Sequence, residues 1–108
     1  SNKPHELAVE CVDEFFPRGT FRVVLGQRPG SVRKPDPAGV REIIRTFGAA
    51  AARCLYVGDT PTDMETAAAA GLPSVGVAWG FRPEDELRAA GARYIVRHPS
   101  GILALAEA

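Results

Sequence analysis

The chain is 108 residues long and 45% apolar, and its 13 basic residues balance 13 acidic ones. That length allows one domain or a piece of one, and the apolar share suits a packed core, not a disordered chain. A zero formal charge without any basic run argues against a nucleic-acid surface, and no apolar run approaches the roughly 20 residues of a membrane span. A small phosphorylated substrate stays open, because it needs only a local site.

The segment PHELAVECVDEFF (4–16) sets Ala8, Cys11, Val12 and Phe15 on one helical face. FRVVLG (21–26) is a short β-branched run and reads as a strand. In PAGVREIIRTFG (37–48), Val40, Ile43, Ile44 and Phe47 share a face, Asp36 is placed as N-cap, and Gly48 marks the stop. CLYVG (54–58) reads as a strand buried on both sides. Thr60 and Pro61 open the next helix, which stops at Gly71. SVGVAW (74–79) is a strand, PEDELRAAG (83–91) a short helix, YIV (94–96) a strand, and Ile102 to Leu105 a last helix.

Strands separated by helices indicate crossovers and a parallel sheet, so the fold class is α/β. The chain opens on SNKP and enters a helix with no strand before it, so its amino end is expected to be a cut edge. Cys11 and Cys54 read as small core residues in a reducing compartment, and no signal peptide precedes them, so a cytoplasmic location is expected. His5 and His98 match no metal spacing and read as surface groups.

The chemistry concentrates in LYVGDTPTDM (55–64). Ligands of open parallel sheets bind beyond the carboxyl ends of the strands. Asp59 follows such an end, and Asp63 lies one turn into the following helix. Two close carboxylates repel unless a cation neutralises them, and a hard ion such as Mg²⁺ suits them. Asp63 has a second reading, as the acid of a capping box with Thr60. Lys34, in VRKPDP, stands before a helix start, where its ammonium reaches a phosphate at the same sheet edge or is simply solvated. Ser1 and Asn2, at the start of the first helix, either bind phosphate there or cap it. Trp79, Gly80 and Phe81 line the crevice or close the core edge.

SNKP, KPDP and GDTPTDM, in this order, resemble motifs II, III and IV of the haloacid dehalogenase (HAD) superfamily. GVAWGFRPEDEL followed by GARYIV is similar to phosphoglycolate phosphatases. The resemblance implies a Rossmann-like, three-layer sandwich of HAD type with a parallel sheet. Residues 1–108 would be the C-terminal part of that core. Motif I, with its nucleophilic aspartate, and the mobile cap have no counterpart here. Asp13, Asp36 and Asp85 fall in helices or at a helix start and do not replace it.

By the same resemblance, Ser1 and Asn2 would bind the transferring phosphoryl group and Lys34 would balance its charge. Asp59 would ligate Mg²⁺, with Asp63 as partner, direct or through water. The implied activity is Mg²⁺-dependent hydrolysis of a small phosphorylated metabolite through an aspartyl-phosphate, with the nucleophile on an N-terminal segment of the same core, in the same or a separate chain. Alternatives are a β-phosphoglucomutase-like or pyrophosphatase member, or a non-catalytic module binding phosphate or a partner. Alone, the chain is expected to be inactive. In the family's strand order, 3-2-1-4-5, two strands would separate FRVVLG from CLYVG, leaving a hole in the sheet. Receiver domains also join an acidic Mg²⁺ site to Lys-Pro, but there the lysine follows the acids, whereas Lys34 precedes Asp59.

Overall fold

Three short parallel strands, β1 (Tyr56–Gly58), β2 (Ser74–Val77) and β3 (Tyr94–Val96), lie side by side in chain order. The computed structural model describes residues 1–107. Helices α1 (His5–Phe15) and α2 (Ala38–Phe47) precede the sheet, α3 (Pro61–Ala70) and α4 (Glu84–Ala89) form its crossovers, and α5 (Pro99–Glu107) follows it. Gly48 and Gly71 end α2 and α3 at φ 67° and 75°, left-handed conformations that a side chain would strain.

The register assigns the two faces. Val57 pairs with Val75 and Val75 with Tyr94, so these residues share one face. There Val75, Val77 and Val96 are buried under Ile102 and Leu105 of α5. Gly58, Gly76 and Ile95 occupy the opposite face. A Cβ on Gly76 would lie 3.1 Å from Leu87 Cδ1, so α4 covers that face, and a Cβ on Gly58 would overlap Asp63, so α3 does too. Helices thus pack on both sides of a parallel sheet, the expected three-layer α/β arrangement. Small residues at Gly58 and Gly76 let α3 and α4 approach the strands closely.

Three expectations are corrected. FRVVLG forms no strand: residues 23–26 have no regular secondary structure, and only an isolated parallel bridge, Pro4 to Gln27, follows them. The Ser1 amine donates to Leu25 O (2.8 Å), Gln27 N to Lys3 O (2.7 Å) and His5 N to Gln27 O (2.9 Å). That ladder begins only at Leu25, and β propensity without a partner does not make a strand. CLYVG is not buried on both sides, because β1 pairs with β2 alone and Val57 is 41% exposed. Cys11 is exposed, not a core residue, because α1 buries only Ala8. Cys54 is half-buried. Among the described residues no helix is long and apolar enough to cross a membrane.

Candidate active site

The backbone turn after β1 builds the site. Thr60 caps α3 with an extended backbone, and its hydroxyl accepts from Asp63 N at 3.2 Å. Asp63 Oδ2 accepts in return from Thr60 N (3.3 Å), Thr60 Oγ1 (3.0 Å) and Asp59 N (3.2 Å). The capping box read from the sequence is therefore formed, and it folds the Asp59 backbone onto the Asp63 carboxylate.

Asp63 Oδ1 has two further donors. Lys34 Nζ lies 2.6 Å away and the Tyr56 hydroxyl 3.2 Å away. Five donors on two oxygens fill the roughly four lone-pair directions a carboxylate offers. Burial opposes the charge on Asp63, yet Lys34, Thr60 and Tyr56 together hold its carboxyl below the ordinary value. Burial, and then the negative charge of Asp63, push the Tyr56 phenol well up, so it remains a donor.

Lys34 is held at its backbone as well. Its N–H donates to Asn2 Oδ1 at 2.9 Å, and its carbonyl accepts from Asn2 Nδ2 at 3.5 Å. This clamp joins the amino-terminal segment to the loop before α2. Asp36 Oδ1 accepts from Ala38 N (2.9 Å), but the N-cap of α2 is Pro37, one residue after the expected Asp36. Ser1 lines the same cavity as Asn2 and Lys34. Its hydroxyl accepts from Lys3 N at 3.1 Å. Neither Ser1 nor Asn2 caps α1, whose N-cap is Pro4.

Asp59 differs from Asp63. It is half-buried at the end of β1, and among the described residues no donor reaches its carboxylate. Such a group fits one ligand position of a hard cation. The described residues hold no group of three or more His, Cys, Asp or Glu side chains placed around one ion. Among the described residues, Asp59 is thus an open carboxylate at the end of β1.

The structure joins Asn2, Lys34, Asp63 and the Asp59 backbone in one hydrogen-bonded cluster, with Ser1 beside it. A cavity of about 540 Å³ flanks it, lined by Ser1, Asn2, Lys34 and Tyr56 and by Val40 and Ile43 of α2. Neither Asp59 nor Asp63 lines this cavity, which is bordered by Tyr56 of β1 and by Leu25–Gln27. His5 Nδ1 accepts from Gly26 N at 3.1 Å and holds that ladder, and His98 is exposed. Trp79 and Phe81 are 49% and 100% exposed, so neither closes the core. Tyr56 escaped the sequence reading. The alternation of its strand, counted back from Gly58, was the available signal.

A family model described as HAD-hydrolase-like matches residues 31–100, which include Lys34, Asp59 and Asp63. The chain is 48% identical over 81 residues to a phosphoglycolate phosphatase of Mesorhizobium japonicum, covering 75% of this chain and 36% of that protein. It is 36% identical over 86 residues to a phosphoglycolate phosphatase of Xanthomonas campestris pv. campestris, covering 80% and 39%. A crystal structure from Lactobacillus delbrueckii subsp. bulgaricus, provisionally named a phosphoglycolate phosphatase, superposes with a TM-score of 0.91 at 35% identity. That superposition covers 98% of this chain and 44% of the other. The chain therefore spans less than half the length of each of these relatives.

Proposed function

The chain belongs to the HAD-like hydrolases, and on that premise we propose that it forms the lysine-and-cation half of a Mg²⁺-dependent phosphoester hydrolase of the phosphoglycolate phosphatase kind. One observation carries the reading. The helix cap that anchors Asp63 also pairs it with Lys34 at 2.6 Å, and it leaves the Asp59 carboxylate without a donor at the strand end. An ammonium held on Asp63 and a carboxylate left free at the end of a parallel strand suit a phosphoryl group with its cation.

The roles divide accordingly. Asp59 is the direct cation ligand. Asp63, saturated by its own donors, orients Lys34 and reaches the ion only through water. Lys34 offsets the negative charge of phosphate and carboxylate together, and Asn2 fixes the lysine backbone while Ser1 faces the phosphoryl oxygens. Bound Mg²⁺ supplies Lewis-acid polarisation of the phosphoryl oxygens. The attacking carboxylate lies outside these 108 residues. In this reading the rest of a relative's core occupies the cavity between β1 and the Leu25–Gln27 ladder, with the substrate a small organic phosphate. A mutase or pyrophosphatase would share this half-site.

The test is a chimera joining this chain to the part of the Mesorhizobium relative that the alignment leaves uncovered. Asp59→Asn in that chimera should lower Mg²⁺-dependent hydrolysis of phosphoglycolate by about 10²-fold or more. Full turnover in the variant would remove Asp59 from the reaction.

A further inference from the structure

Gly80 follows β2 by three residues, between the exposed Trp79 and Phe81. A Cβ built on it would lie 2.6 Å from Asp59 Cβ, 2.6 Å from Asp59 Oδ2 and 3.0 Å from Asp59 Cγ. All three of these nearest atoms belong to Asp59, so that side chain stands closest to the space the glycine leaves. Its φ lies outside the left-handed region, so an alanine could adopt the same backbone. The glycine is needed here for room, not for conformation.

The backbone before the glycine is tied to the sheet. Ala78 N donates to Val96 O at 2.9 Å and carries the β2–β3 ladder past the end of β2. Beyond the glycine, the side chains of Arg82 and Glu86 form an exposed ion pair, with bonds of 2.7 and 2.8 Å. The first atoms a side chain at position 80 would meet are those of Asp59. Among the described residues no donor holds the Asp59 carboxylate, and the bare glycine borders the space that it occupies.

We infer that Gly80 is a positioning residue: its bare Cα is the wall that sets where the Asp59 carboxylate points. This rests on the reading of Asp59 as the cation's ligand, and the experiment separates the two. Mn²⁺ is titrated into the nitrogen-labelled full chain, and broadening of the Asp59 amide signal reports affinity at that carboxylate, while dispersion of the spectrum reports the fold. Gly80→Ala should keep a dispersed spectrum and weaken Mn²⁺ at Asp59 about tenfold or more, the scale of losses when a ligand's support is altered. A dispersed spectrum with unchanged affinity would overturn the inference. If Gly80→Ala does not fold, Gly80→Ala/Asp59→Gly decides: recovery of the fold supports the contact, and failure to recover overturns it. Asp59→Asn is the separate control. Broadening at position 59 that is absent from the parent chain, or that survives this change, contradicts the cation reading, whereas its loss there with Gly80→Ala unaffected contradicts only the role of Gly80.

Discussion

Asp63 shows how one carboxylate serves a helix and a site together. Its cap bonds to Thr60 were legible in the sequence because they are local. Its bond to Lys34 crosses 29 residues, and no local pattern distinguishes a lysine that folds over from one in solvent. Asp63 is nearly buried and Lys34 about one-quarter exposed, so the pair lies between surface and buried limits. Lys34→Met should cost about 2 kcal/mol, because Asp63 then keeps its charge without its cation. The sign of the acid dependence follows from the lowered carboxyl. Stability from the folded-state donors is complete above the ordinary value of 3.8 and is lost as pH falls through the lower folded value. Tyr56→Phe removes one donor, so acid unfolding should begin at a higher pH and neutral stability fall by about 1 kcal/mol. Urea titrations at neutral and acid pH measure both, and coincident acid profiles would deny Tyr56 its role.

Helices and strands were not equally readable as elements. The apolar spacing of 4–16 and 37–48 found α1 and α2, and glycines placed the ends of α2 and α3, because those signals act within a few residues. FRVVLG had the composition of a strand and lacked the neighbour that makes one. The closeness of α3 and α4 to the sheet depends on Gly58 and Gly76, whose common face emerges only from register. Capping and propensity give opposite predictions for two helices. Thr60→Ala removes the cap of α3 and should cost about 1 kcal/mol. Gly39 lies inside α2 with open space around an added Cβ, so Gly39→Ala should stabilise by about 0.5–1 kcal/mol. Thermal melting of both variants checks the pair of signs.

Across the whole molecule, burial is uneven. All four residues of β2 are buried, as are Asp63, Met64, Thr66 and Ala67 of α3, whereas α2 buries none and α1 only Ala8. Hydrogen exchange should therefore be slowest in β2 and the inner side of α3 and fastest in α1 and α2. Uniform protection along the chain would contradict that gradient. The three-layer order was legible because alternating helices and strands leave few topologies. The exposure of Val57 was not, since a run of apolar residues does not say which strand stands at an edge. The functional reading depends instead on the turn after β1, where Asp63 pairs with Lys34 and Asp59 is left free. The most direct measurement is a crystal structure of the chimera with Mg²⁺ and orthophosphate. The account predicts the cation at about 2.1 Å from an Asp59 oxygen, with the phosphate against Lys34 Nζ. A cation bound elsewhere, with Asp59 free and Lys34 away from the phosphate, would contradict it.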